Sequence, residues 1–313
     1  MATGWGLVSS LHCVIFALYL WIAVIASRRM ERSKDFAKKH GIPMAYSSYK
    51  EPANDPDIGE TRVSLGVGLM LLKAGKKVLC DKPFDMNSTQ FKFFSVAIEQ
   101  GCLLSPSQGI WTRCFPVHAD VCRLLAEEAV EEVKLVMAYP GSPQLHVPRS
   151  VEKELGGGAL LDIGVYCLQF VVMVFNGESP SRPRGCCLTQ AGVNESVVVV
   201  MKFSGKRMAL FAFSIAARLP NDAFIAGTKG FIKVLGPMHS PTALVVHDRE
   251  TEYPLPEPCL PQNFTNSTGL CYEAEEVRQC LAHGFVFSAE SQRHQSTAVS
   301  PDRNLLRWNR GRC

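Results

Sequence analysis

Gly157-Gly158-Ala159-Leu160-Leu161-Asp162-Ile163-Gly164-Val165-Tyr166-Cys167 lies near the middle of the chain. Its glycines break the backbone, and the apolar run that follows, from Ala159 to Asn176, predicts a helix. Asp162 and Tyr166 are spaced so that a helix carries both on one face. A carboxylate and a phenol can then point into one cleft. A plainer reading fits the same residues: Asp162 is a first-turn acid that favours the helix dipole, and Tyr166 is a core aromatic.

Around this helix the second half of the chain reads as a sheet. Val133–Tyr139, Val197–Phe203, Met208–Ile215, Ala223–Gly227, Phe231–Leu235 and Leu244–Val246 are predicted strands, largely antiparallel. Helices are expected over Val117–Ala129 and Tyr272–His283. The first half alternates differently. Residues 3–9 suggest a strand entering a glycine turn, Met30–His40 a charged helix, Ile42–Tyr46 a short strand, Gly66–Lys73 part of a helix and Lys76–Cys80 a strand. Asn87–Gln100 looks helical, and Cys102–Leu104 reads as a further strand.

Asp81-Lys82-Pro83 follows the Lys76–Cys80 strand directly. Open α/β sheets bind ligands at the carboxyl ends of their strands. A lysine there can reach a bound cofactor or a phenol, and its ammonium favours phenolate. Tyrosine ionises near pH 10, so it needs such help to act as a base near neutrality. The alternative is a surface lysine in a turn.

Bulk properties exclude some classes. The 313 residues carry a net charge of +4 with no long basic block, which leaves no electrostatic footprint for nucleic acid. The 12 cysteines form no C-x-x-C, so neither a metal site nor a redox motif is expected, and scattered reduced thiols fit a cytoplasmic protein. One segment points elsewhere. Cys13–Ala26 is apolar and is followed by Arg28 and Arg29, as in a membrane anchor. It falls short of the roughly 18 to 20 residues that span a bilayer. Two buried parallel strands run together explain it better.

Several blocks in order carry a resemblance: VLCDKP (78–83), GIWTRCFP (109–116), HVPR (146–149), GGALLDIGVYCLQF (157–170), AGTKG (226–230) and CYEAEEVRQCL (271–281). Together they resemble the Gfo/Idh/MocA oxidoreductase family, over most of residues 28–58 and 69–284. The resemblance implies an α/β fold: an incomplete Rossmann-like parallel-sheet domain over 1–115, then an α+β domain with an open, mainly antiparallel sheet over 116–287. The polar tail, 288–313, departs from the family and reads as disordered. The implied activity is NADP-dependent oxidation of trans-dihydrodiols or of aldoses such as D-xylose, in a homodimer formed through the sheet face.

The resemblance also implies roles. Tyr166 takes the proton from the substrate hydroxyl, and Lys82 lowers its pKa and binds the nicotinamide ribose. Asp162 orients substrate hydroxyls. Trp111 is an apolar wall for substrate and cofactor, with Pro83 and Arg113 beside the cofactor. Arg28 holds the 2′-phosphate of NADP, and Arg29 replaces an acidic residue usual in the family. Departures oppose this picture. No G-x-G-x-x-G can be written after the first strand, so the pyrophosphate loses its helix N-terminus. Gly59–Gly68 replaces a strand and a cofactor-lining loop, which puts a central strand in doubt. The alternative function is therefore a catalytically impaired protein that serves as a binding or dimerisation module.

Overall fold

The computed structural model describes residues 5–7, 22–55, 57, 60–63, 65–81, 108–181, 183–190, 192–258 and 264–283. They fall into two compact units. The first holds the described residues up to 111 and from 255 onward, and the second holds 112–254.

The first unit is built on a six-stranded sheet. Its strands are β1 (Trp5–Leu7), β2 (Ile22–Ala26), β3 (Met44–Tyr46), β4 (Glu60–Val63), β5 (Lys77–Asp81) and β6 (Gln108–Gly109). Their order is β3-β2-β1-β4-β5-β6, and every neighbouring pair is parallel. That is the strand order of the doubly wound dinucleotide-binding fold. Helices α1 (Met30–His40), α2 (Lys50–Asn54) and α3 (Leu65–Lys73) connect strands. α1 ends where Gly41 turns left-handed at φ 65° and donates its N–H to the Ala37 carbonyl.

One sequence expectation changes here. The central strand that Gly59–Gly68 put in doubt is present: β4 pairs with β1 on one side and β5 on the other. Its sequence, Glu60-Thr61-Arg62-Val63, lacks the apolar run that marks a central parallel strand, but ladder hydrogen bonds need only the backbone. Of the apolar run Cys13–Ala26, the described part forms a parallel strand. β1 precedes that run, and only its last five residues, Ile22–Ala26, form β2. Val24, Ile25 and Ala26 are buried in the core, at 0%, 4% and 1% exposure. A parallel pair needs a crossover of about a dozen residues, and residues 8–21 lie between the two strands in sequence. Residues 8–21, the expected elements at Asn87–Gln100 and Cys102–Leu104, and the 288–313 tail lie outside the described residues.

The second unit is an eight-stranded sheet in the order β14-β13-β12-β11-β7-β10-β9-β8. These are β7 (Val133–Ala138), β8 (Arg184–Gln190), β9 (Val193–Phe203), β10 (Arg207–Ser214), β11 (Ala223–Gly227), β12 (Phe231–Val234), β13 (Ala243–Val246) and β14 (Arg249–Glu252). Only β7 and β10 run parallel to each other. Alternation sets the two faces. In β9, Val197, Val199, Met201 and Phe203 are buried while Val198 and Lys202 are exposed. Helices α4 (Pro116–Ala126), α5 (Pro148–Val151) and α6 (Val165–Val174) belong to this unit, and α7 (Leu270–His283) to the first. Among the described residues one helical stretch, Lys153–Val174, is long and apolar enough to cross a membrane, and 61% of its apolar window is buried within the fold.

The packing of α4 on α6 has a testable consequence. His118 of α4 lies edge-on to Phe170 of α6, with ring centroids 5.7 Å apart, and neither of its ring nitrogens has a hydrogen-bond partner. Burial, with a smaller contribution from the Arg113 charge, lowers its pKa from 6.5 to about 3. Between those values the unfolded chain binds a proton that the folded chain refuses. The titration of His118 therefore costs nothing above pH 6.5 and destabilises progressively as pH falls toward 3. The slope is at most about 1.4 kcal/mol per pH unit. His118→Leu should flatten the fall in urea midpoint between about pH 7 and about pH 5. An unchanged fall would show that His118 is not its source.

Candidate active site

The helix carrying Asp162 and Tyr166 is set by its glycines. Gly157 has no room for a Cβ, which would lie 2.8 Å from the Glu152 carbonyl oxygen. Gly158 sits at φ +122°, a conformation that side chains rarely adopt. Asn194 Oδ1 then accepts the Leu160 N–H at 2.6 Å and caps the new helix from across the unit. The first turn, Leu160–Gly164, is π-helical and passes into α6 at Val165. Such wide turns concentrate at functional sites. A Cβ at Gly164 would meet the Phe213 ring of β10 at 2.7 Å, so the turn lies directly on the sheet.

These constraints fix both side chains. Tyr166 is 9% exposed, and its ring is tilted 37° against His239 with centroids 5.5 Å apart. The Thr112 hydroxyl donates to the His239 carbonyl. Asp162 is half-buried. The Ser150 hydroxyl lies between Gln144 Oε1, at 3.0 Å, and Asp162 Oδ2, at 3.4 Å. Ser150 is itself buried. The second unit thus presents a carboxylate, a phenol and an imidazole. Arg113 is exposed in the short turn Trp111–Cys114 that precedes α4.

In the first unit, Arg28 and Arg29 are exposed immediately past the carboxyl end of β2. Arg29 is the residue at which α1 begins, and its backbone is tied to the Ser27 hydroxyl. Two cationic side chains and a helix N-terminus share one strand end, a suitable donor set for a phosphate. Trp111 is 5% exposed and meets Phe264 edge to face, with centroids 5.7 Å apart. β5 ends at Asp81; Lys82 and Pro83 lie outside the described residues. Among the described residues no group of three His, Cys, Asp or Glu side chains is placed to hold a metal ion.

The structure brings together Asp162 and Tyr166 in one unit, and Arg28 and Arg29 in the other. His239, Ser150, Gln144 and Phe264 were not singled out from the sequence. The lone His239 carries no motif, and Ser150 and Gln144 meet Asp162 only through the fold.

Known proteins extend this picture. A family model described as the GFO/IDH/MocA C-terminal domain matches residues 118–233. A trans-1,2-dihydrobenzene-1,2-diol dehydrogenase of Danio rerio is 47% identical over 290 residues, covering 90% of this chain and 86% of that protein. Its namesake from Homo sapiens is 38% identical over 300 residues, covering 91% and 90%. Among solved structures, a 3-ketoreductase from Actinomadura kijaniata in complex with NADP and TDP-benzene superposes with a TM-score of 0.78 over 97% of each chain. Its 20% identity speaks to the fold alone. Identity at this level across nearly the whole length, on a doubly wound sheet followed by an open one, means that the chain belongs to the Gfo/Idh/MocA oxidoreductase family.

Proposed function

We propose that this chain is an NADP-dependent dehydrogenase that oxidises trans-1,2-dihydrobenzene-1,2-diol or an aldose such as D-xylose. The observation that carries the reading is the Asp162–Tyr166 pair on a π-turn-led helix, in a chain 47% identical to a protein named for that reaction. A nicotinamide cofactor fits the first unit. The sheet has the strand order of dinucleotide-binding domains, and Arg28 and Arg29 supply the chemistry that a 2′-phosphate requires. Those two residues would hold the phosphate, while Lys82, Pro83, Trp111 and Arg113 would border the rest of the cofactor. NADP, when bound, supplies the hydride acceptor.

The chain's own residues do the remainder. Tyr166 Oη takes the proton from the substrate hydroxyl as the carbon is oxidised, and returns it in the reverse direction. Lys82 is the proposed assistant to that proton transfer. Asp162, steadied by Ser150, accepts a hydrogen bond from a neighbouring substrate hydroxyl. Trp111, backed by Phe264, gives the substrate an apolar wall and excludes water.

The proposed assembly is a homodimer through the outward face of the large sheet. Val198 and Met208 are 46% and 38% exposed there, and Val200 and Leu210 are only half-buried. An apolar sheet face of this kind favours a second copy of itself. Val198→Glu with Met208→Glu should convert the protein to monomer in sedimentation velocity, and a persisting dimer would locate the interface elsewhere. A cytoplasmic address is part of this reading.

The direct test is incubation of the purified chain with NADP and each substrate while NADPH fluorescence is followed. NADPH should form with at least one of them. A folded chain that forms none would support the second reading, a catalytically impaired binding or dimerisation protein, which the missing G-x-G-x-x-G favours.

A further inference from the structure

Asn194 of β9 reaches the turn that carries Asp162 from 34 residues away in sequence. Its side-chain oxygen accepts the Leu160 N–H at 2.6 Å. The same amide lies against Gly158, where an added Cβ would stand 3.1 Å from Oδ1 and 3.3 Å from Cγ of Asn194. The Gly158 carbonyl in turn accepts the Asp162 N–H at 3.1 Å. One side chain therefore holds the first N–H of the π-turn and packs on the residue from which the Asp162 backbone hangs. The strand beneath it is fixed. Asn194 is flanked by Val193, 6% exposed, and by Glu195, whose carbonyl accepts the Ile215 N–H at 3.0 Å. Ser196 faces Ser214 across the ladder, and their hydroxyls are 2.8 Å apart.

Asp162 and Tyr166 depend on this anchor unequally. Asp162 lies inside the π-turn, close behind Leu160. Tyr166 lies in α6, beyond Gly164, whose close approach to the Phe213 ring ties the helix to the sheet. Loss of the Asn194 acceptor leaves the Leu160 N–H unpaired in a half-buried turn and frees the start of that turn. The Asp162 carboxylate then shifts, while the contact at Gly164 still holds α6 and Tyr166. In the proposed reaction Asp162 binds a hydroxyl that does not react, so its hydrogen bond is the same in the bound substrate and in the transition state. An interaction of that kind lowers KM and leaves kcat alone. Tyr166 acts on the reacting hydroxyl, so its loss is read in kcat.

Resting on the reading of Asp162 as the group that orients a substrate hydroxyl, we propose that Asn194 is a positioning residue. It holds the Asp162 carboxylate in place for the substrate and sets KM through it, without acting on the proton transfer.

The test compares the unaltered chain with Asn194→Ala, which removes the acceptor, and Asn194→Asp, which keeps one at the same reach. Asn194→Val, suited to a strand, is a second acceptor-free variant should Asn194→Ala not fold. The assay uses NADP with trans-1,2-dihydrobenzene-1,2-diol or D-xylose, whichever is turned over. In Asn194→Ala, KM should rise about tenfold, the scale of a lost helix cap, with kcat within about a factor of two and the Kd for NADPH unchanged. Asn194→Asp should bring KM back toward that of the unaltered chain. Hydrogen exchange over residues 157–162, read by mass spectrometry without substrate, should quicken in Asn194→Ala and slow again in Asn194→Asp. Faster exchange with an unchanged KM would overturn the proposal and leave Asn194 as a helix cap alone. Parallel loss of kcat and NADPH affinity would overturn it too, as would a KM that Asn194→Asp does not restore. Failure of the dehydrogenase reading shows differently: the unaltered chain would neither bind NADPH nor turn over either substrate, and the positioning role would fall with it.

Discussion

Tyr166→Phe should reduce turnover by about 10²- to 10⁴-fold, the usual contribution of a positioned acid–base group. It removes one oxygen from a ring that is 9% exposed and already held by its neighbours, so the fold should persist. The proton from the substrate hydroxyl then has no acceptor at the reacting carbon. NADPH affinity should change little, because the groups proposed to hold the cofactor lie elsewhere in the chain. kcat from initial rates and Kd from NADPH fluorescence together separate the outcomes. Substantial residual kcat would show that another group moves the proton. Parallel loss of kcat and NADPH affinity would point to a collapsed site. The plainer reading of Tyr166 as a core aromatic predicts no effect on kcat in the folded variant.

Arg28→Ala with Arg29→Ala should weaken NADPH binding by about 10- to 100-fold and leave NADH binding nearly unchanged. Charge-assisted hydrogen bonds to a phosphate are worth about 1.5 to 3 kcal/mol each. Both side chains are exposed, so solvent and salt discount that figure, and a combined loss of about 1.4 to 2.8 kcal/mol corresponds to the stated range. The same variant should show a weaker dependence of NADPH affinity on ionic strength. If both cofactors lose affinity equally, the arginines support the fold around α1 and do not read the 2′-phosphate. If neither changes, the phosphate is held by other residues.

Local features were legible in the sequence. The α1 boundaries, Met30–His40, follow from its charged pattern and the glycine behind it. The inner strands of the large sheet announce themselves by alternation, as β9 does. Other strands do not. β14, Arg249-Glu250-Thr251-Glu252, is exposed along its whole length and has no apolar face to betray it. β8, at the opposite edge, and the polar β4 were missed for related reasons: their pairing rests on the backbone. The first strand was legible: residues 3–9 read as a strand, and Trp5–Leu7 form β1.

The site divides in the same way. Asp162 and Tyr166 could be paired from spacing because one helix carries them. The spacing did not reveal the π-turn that carries Asp162, nor the close approach of Gly164 to Phe213 of a distant strand. His239 reaches Tyr166 from the β12–β13 loop, and Ser150 and Gln144 reach Asp162 from the segment before the glycines. Contacts of that kind come from topology, and no local period encodes them.

The account turns on whether the first unit, which lacks a G-x-G-x-x-G, still takes a nicotinamide dinucleotide. Fluorescence titration of the purified chain with NADPH measures this directly. The account predicts saturable binding, competed by NADP. No saturable change, in a protein shown to be folded by circular dichroism, would contradict it.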